Sequence, residues 1–208
     1  MSQKSNSRIS GLYAITQDEP DTPELLRKVT LALQGGAQVL QYRNKIAGKA
    51  LRQKQAAALR ELTSEFGVPL IINDDTLLAR EIAADGVHLG ASDGSLSGAR
   101  ELLGESRLIG VSCYNSLELA REAQSGGADY VAFGSFYPSS VKPRAVTATP
   151  DLLRQASKEI NIPLVAIGGI TLENGKGLLI AGAHALAIIS AVFCAADIEM
   201  AARRFAEL

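Results

Sequence analysis

The chain has 208 residues and a net charge of −1 at pH 7, enough length for one well-cored domain and no charge excess that would advertise a nucleic-acid or membrane surface. Apolar residues make up 47% and charged residues 21%, the balance of an ordinary soluble globular protein; neither Cys113 nor Cys194 belongs to a CxxC or Cys/His cluster, which argues against a disulfide scaffold and a structural zinc. A reducing, cytoplasmic setting follows, since "MSQKSNSRIS" is too polar for a signal peptide and the most apolar stretch, "AHALAIISAVFCAA", is too short for a bilayer span.

Residues 1–10 read as a disordered tail. From Gly11, "GLYAIT" reads as a first strand, and "GGAQVLQYR" (from Gly35) as a second; the helical "ALRQKQAAALRELTSEF" follows, with apolar positions three and four apart. "VPLIIN" and "AADGVHLG" supply strands three and four, and "RLIGVSC" the fifth. After the helical "SLELAREAQSGG" come "GGADYVAFG", "IPLVAIG" and "AGAHALAII". The even-numbered strands share a lead-in of small residues. Aligned on Ala37, Ala84, Ala128 and Ala183 they recur at spacings of 47, 44 and 55 residues, the length of two strand-helix units. Short continuous apolar strands alternating with helices indicate a parallel sheet covered on its faces, and eight units in four similar quarters predict an α/β (β/α)8 TIM barrel, one domain over residues 11–208. A doubly wound open sheet gives no reason for the quarters.

Barrel enzymes place their chemistry at the C-terminal strand ends, and these are polar here. Strand two ends in "QYRNK", where Gln41, Arg43 and Lys45 alternate onto one side. Strand three ends at Asn73, Asp74 and Asp75, strand four carries His88 and then Asp93, and strand five ends at Ser112 before Cys113 and Tyr114. The long segment "YPSSVKPRAVTATP" after strand six holds Ser139, Ser140, Lys142 and Arg144 and has the length of an active-site lid. Strand seven ends in Gly168-Gly169 and strand eight in Ile189-Ser190.

Two anion-handling sets result. Gly168 and Gly169 let backbone N–H donors approach closely, Ser190 joins them, and one phosphate fits there. The second set combines the carboxylates of Asp74 and Asp93 with Arg43, Lys45 and Lys142. Carboxylates beside cations cancel unless a hard metal bridges them, so this set predicts Mg2+ carrying a diphosphate. Asp75, directly before Thr76, is the better helix cap, and His88, His184 and both cysteines read as packed structural residues. No GxxxxGK[ST] or GxGxxG motif is present, and no lysine sits centred in an apolar strand. Few general acids or bases remain. The expected chemistry is departure of pyrophosphate, stabilised electrostatically, and capture of the electron-poor carbon by a second, phosphate-tagged substrate.

"QYRNK", "NDD", "HLGASD", "GVS", "YPSSVK", "VAIGGI" and "IIS" stand in the order and at the strand ends seen in the thiamine-phosphate synthase family, which the chain resembles over nearly its whole length. The resemblance implies condensation of 4-amino-2-methyl-5-hydroxymethylpyrimidine diphosphate with hydroxyethylthiazole phosphate to thiamine phosphate and pyrophosphate, by a dissociative route through a pyrimidine cation. It implies Mg2+ on Asp74 and Asp93. It places the pyrimidine diphosphate on the Gln41–Lys45 run, Tyr42 and Asn44 included, and on Asn73, Ser112 and Lys142. It places the thiazole phosphate on Ser139, Ser140 and Val141 and on Gly169, Ile189 and Ser190. Arg43, Lys45, Ser112 and Lys142 would carry the catalysis.

Three departures stand out. Ser139-Ser140-Val141 replaces a Thr-x-Thr before the loop lysine, Tyr114 replaces a histidine, and "HLGASD" replaces a Gln-Glu-Asp ending while keeping the aspartate. Alternatives are a thiazole tautomerase-like isomerase, which would not need both aspartates, and a non-catalytic phosphate-ligand sensor. The partners are small-molecule substrates, with no nucleic acid and no membrane. Oligomeric state is left open, a homo-oligomer included.

Overall fold

The computed structural model describes residues 9–138 and 146–208. Within them eight parallel strands close into a barrel in sequential order, as the quarters predicted. The strands are β1 (Gly11–Ile15), β2 (Val39–Tyr42), β3 (Leu70–Asn73), β4 (Gly86–Leu89), β5 (Leu108–Tyr114), β6 (Tyr130–Phe133), β7 (Leu164–Ile167) and β8 (Ala185–Ile188). The helices between them are α1 (Thr22–Gln34), α2 (Lys49–Phe66), α3 (Thr76–Glu81), α4 (Leu96–Leu103), α5 (Leu117–Ser125), α6 (Pro150–Glu159) and α7 (Leu172–Ile180). After β8 come α8 (Ser190–Phe193) and α9 (Ile198–Ala206).

Both faces of each strand are buried, which is why the strands read as unbroken apolar runs rather than as alternating ones. Pleating nonetheless sorts them. Leu12, Ala14, Leu40, Leu70, Ile72, Val87 and Ile109 join the shell between sheet and helices, while Tyr13, Ile15, Val39, Ile71, Leu108, Tyr130 and Val165 fill the barrel. Fully burying one such Leu or Ile is worth about 2 kcal/mol. Ile9, at the end of the expected tail, is buried in the same interior cluster, and residues 1–8 lie outside the described residues.

Helix starts follow from capping chemistry. The side chains of Asp75, Ser95, Ser116, Thr149 and Asp197 accept hydrogen bonds from Leu78, Gly98, Leu119, Leu152 and Met200 N–H, so each satisfies a donor that the first helical turn leaves unpaired. Asp75 is thus the helix cap its position predicted.

The fourfold repeat has a physical cause at the opposite end of the barrel from the expected site. The residue that follows each aligned alanine is Gln38, Asp85, Asp129 or His184, and its backbone N–H donates to Leu12, Leu70, Ile109 or Leu164 in the preceding strand, at 2.8–3.0 Å. In three quarters the side chain returns the favour: Asp85, Asp129 and His184 Nδ1 accept from the N–H of Leu70, Ile109 and Leu164 at 2.9, 2.8 and 3.1 Å. In the first quarter Gln38 lies against Gly11, where a Cβ would stand 1.5 Å from its Oε1. Arg60 and Arg100 pair with Asp85 and Asp129 at 2.9 and 2.6 Å. His184 is therefore structural, and burial holds its pKa below the usual histidine range, consistent with a neutral ring that accepts a hydrogen bond.

Candidate active site

At the C-terminal mouth of the barrel a cavity of about 340 Å3 opens, bordered by Gln41, Arg43, Asn73, Ser112, Tyr114, Ser135, Gly168 and Ile189. Pleating at the end of β2 meets the alternation expected of "QYRNK" in part: Gln41 and Arg43 face this cavity and Tyr42 and Asn44 turn away from it, but Lys45, expected beside Gln41 and Arg43, lines a side cavity with Tyr42 and Asn44, because the strand ends at Tyr42 and its alternation stops there. The Tyr42 hydroxyl donates to Gln55 Oε1 at 2.8 Å, and Asn44 Nδ2 donates to Gln55 Oε1 and to the Glu19 carbonyl. Asp18, unremarked in the sequence, pins the run by accepting from Lys45 N–H at 2.7 Å and from Arg43 at 3.2 Å.

Asp74 follows β3 in the left-handed region, with φ of 65°. Asp tolerates this conformation better than most residues, and the chain turns here instead of continuing the strand. Partial burial raises its pKa above the usual carboxylate value, and the Asp93 carboxyl, within hydrogen-bonding reach, raises it further, while Lys45 opposes both. Lys45 Nζ stands 3.3 Å from Asp74 Oδ2. Asp93 is held by Gly90 N–H at 2.9 Å, and the neighbouring Ala91 N–H donates to the Tyr114 hydroxyl at 3.3 Å. Two carboxyls pressed together form a hard oxygen pair of the type that suits Mg2+ or Ca2+ over zinc. Among the described residues no group of three or more His, Cys, Asp or Glu comes together.

A side cavity of about 220 Å3 adjoins Asp74, lined also by Tyr42, Asn44, Lys45, Arg52, Asn73 and Asp75. Arg52, also missed in the sequence, has a buried Nε with no acceptor and sits 3.9 Å from Asp75.

Across the mouth, Gly168, Gly169, Ile189 and Ser190 border a third cavity of about 240 Å3 together with Pro138. The glycine pair has a reason beyond anion approach. Gly168 and Gly169 have φ of 103° and 63°, and a Cβ on them would lie 2.0 Å from Ser135 Oγ and 2.5 Å from the Pro138 carbonyl. The chain leaving β6 therefore packs directly onto them, fastened by Tyr137 N–H to the Gly168 carbonyl at 3.0 Å. Ser139, Ser140, Val141, Lys142 and Arg144 lie outside the described residues.

Under the mouth cavity runs a chain of polar side chains. Gln41 Nε2 donates to Tyr13 Oη at 2.8 Å, Tyr13 and Tyr130 share a bond of 2.8 Å, and His88 bonds Tyr130 through Nδ1 at 3.1 Å and Ser112 through Nε2 at 2.9 Å. Tyr13 and Tyr130 were not singled out in the sequence; the available signal was a polar-tipped aromatic at an inward strand position in "GLYAIT" and in "GGADYVAFG". One expectation is corrected. Cys113 is buried, and burial pushes its thiol up to about 12, but Cys194 is exposed, because α8 is a single turn whose end faces outward.

A family model described as thiamine monophosphate synthase matches residues 12–192. This chain belongs to the thiamine monophosphate synthase family. Members of the family include a thiamine-phosphate synthase of Methylobacillus flagellatus, 52% identical over 208 residues that cover all of this chain and 99% of that one. Another, from Thiobacillus denitrificans, is 54% identical over 192 residues, covering 92% and 91%. Among solved structures, a thiamine phosphate pyrophosphorylase from Pyrococcus furiosus superposes with a TM-score of 0.85 at 35% identity, covering 95% of this chain and 94% of that one. No helix among the described residues is long and apolar enough to cross a membrane.

Proposed function

We propose that this barrel joins 4-amino-2-methyl-5-hydroxymethylpyrimidine diphosphate to hydroxyethylthiazole phosphate, releasing pyrophosphate and thiamine phosphate. The observation that carries the reading is the juxtaposed pair Asp74 and Asp93, with Lys45 3.3 Å from Asp74, next to Asn73, which lines the mouth cavity with Gln41, Arg43 and Ser112. An isomerase has no need of that pair.

Asp74 and Asp93 would hold Mg2+, which when bound neutralises diphosphate oxygens and the charge that develops on departing pyrophosphate. Their mutual repulsion is what a divalent cation relieves, and this supports the fit. Arg43 and Lys45 place fixed positive charge beside the leaving group, and Asp18 keeps both in position by holding Arg43 and the Lys45 backbone. Gln41 and Ser112 grip the pyrimidine ring from β2 and β5, with Asn73 between them on β3; the buried floor of Tyr13 and Tyr130 excludes water from the electron-poor carbon. Gly169, Ile189 and Ser190 hold the thiazole phosphate in the third cavity; the roles that the family resemblance gives Ser139, Ser140, Val141 and Lys142 fall on residues outside the described ones. The bond-making step then needs only that the thiazole nitrogen be oriented toward the cation, with no proton relay. A cytoplasmic location matches the soluble phosphorylated substrates.

The experiment is pyrophosphate release with both substrates, with and without Mg2+. Release that needs both substrates and the metal is expected; binding of thiazole phosphate without any release would make the protein a sensor.

A further inference from the structure

Barrel interiors are ordinarily filled with branched aliphatic side chains, so a layer in which Gln41, Tyr13, Tyr130, His88 and Ser112 bond in series is a costly choice that calls for a use. The directions of these bonds are not independent. Gln41 Nε2 can only donate, so Tyr13 Oη accepts. Tyr13 is 1% exposed, and Tyr130 offers the acceptor for its own proton at 2.8 Å. Were Tyr130 to donate to Tyr13 instead, the Tyr13 proton would be left buried without an acceptor, which folded proteins avoid. Tyr130, likewise buried, then gives its proton to His88 Nδ1, which fixes the imidazole as the neutral tautomer with hydrogen on Nε2. His88 Nε2–H donates to Ser112 Oγ, and the Ser112 hydroxyl proton is left for the cavity. At the other end Gln41, with its amide nitrogen engaged, presents its carbonyl oxygen to the same cavity.

We propose that Tyr13, Tyr130 and His88 are positioning residues, a one-way hydrogen-bond chain that sets Gln41 as an acceptor and Ser112 as a donor toward the substrate ring. The inference rests on the pyrimidine reading above and deepens it. An aminopyrimidine presents an exocyclic amino donor and ring-nitrogen acceptors, the complement of this pair. A ring with an oxo group in place of the amino group presents an acceptor where Gln41 also offers one, so the chain rejects it. The stacked rings of His88 and Tyr130, 5.6 Å apart and inclined by 26°, keep the chain from rotating.

Two measurements test this. In the unliganded wild-type protein, 15N NMR of the imidazoles, with His88 assigned by its loss in His88→Gln, is expected to show the neutral tautomer protonated at Nε2; protonation at Nδ1 overturns the proposal. This readout is independent of turnover, so failure of the synthase reading and failure of the chain are separable. In kinetics, Tyr130→Phe keeps the ring and removes the link; it is expected to lower kcat/KM for the pyrimidine diphosphate about tenfold, shift KM for thiazole phosphate less than about twofold, and narrow the preference for the amino over the oxo pyrimidine. Tyr13→Phe, which breaks the adjacent link, is expected to do the same and stands in should Tyr130→Phe misfold. An unchanged preference in a folded variant, or equal losses toward both substrates, overturns the chain.

Discussion

The ring of Tyr130 occupies the space that a side chain on Gly110 would fill: a Cβ there would stand 2.0 Å from Tyr130 Cζ. Gly110 is opposite His88 on one side and Tyr130 on the other, so the bare backbone of β5 is what lets the residues of β4 and β6 meet across it. Gly110→Ala is therefore expected to push the ring aside and break the 3.1 Å bond to His88, at a cost of about 2 kcal/mol. Thermal melting would fall by roughly 6 °C. A variant with unaltered melting temperature and full activity would show that the ring has room to move.

Asp74 sits in the left-handed region, where Asn is equally at home, and its carboxyl is crowded by Asp93. Its folded-state pKa is raised, so in the metal-free protein its contribution is favourable below the unfolded carboxylate value and is lost as pH rises through the folded value. Asp74→Asn should raise the melting temperature of the metal-free protein at neutral pH by ~2 °C and flatten its dependence between mildly acidic and neutral pH. The same change should abolish Mg2+-dependent pyrophosphate release. Melting curves across pH beside the release assay check both; loss of stability together with activity would mean that the two carboxyls do not repel.

Asp93 follows β4 and is held by Gly90 N–H, whereas Ser190 borders the cavity at the ends of β7 and β8. Asp93→Ala is expected to eliminate metal-dependent turnover and leave thiazole phosphate binding unchanged, as read by calorimetry. Mg2+ with inorganic pyrophosphate at about a hundred times its dissociation constant should stabilise the wild type by about 2.7 kcal/mol and leave Asp93→Ala unmoved. Equal weakening of both ligands would argue for a single merged site.

Arg100 works at the other end of the barrel, donating to the carbonyls of Gly104, Arg107 and Gly127 and to Asp129 at 2.6 Å. Its side chain is mostly buried, and Arg100→Leu removes the cation that pairs with Asp129, which keeps neutral donors such as Ile109 N–H, with an expected loss of about 3 kcal/mol. Turnover per folded molecule should stay at the wild-type level, because residues at this end of a barrel serve stability. Reduced turnover below the melting transition would refute that division.

Much of the fold is legible in the sequence. The small-residue lead-ins recur because each quarter ends a helix and begins an even strand at a residue that ties down the preceding odd strand, as Asp85, Asp129 and His184 do. Asp75 as a cap and Gln41 with Arg43 on one side followed from local periodicity and local hydrogen bonding. Such features involve residues close in sequence, so their pattern is written there.

The one-dimensional pattern assigns a side chain to a face but not to a partner on that face. Tyr13 and Tyr130 are 117 residues apart, and they touch because closure of the barrel brings β1 and β6 together over its interior. Arg52 reaches Asp75 from α2 because that helix packs beside β3, and Cys194, just past the single turn of α8, is exposed. Sequence by itself determined the strand-helix alternation, the four quarters and the acidic strand ends, since those depend on local period and capping. Only the tertiary structure decided which inward groups bond in series beneath the cavity and which two carboxyls repel at its mouth, because register and closure set distances that no spacing along the chain encodes.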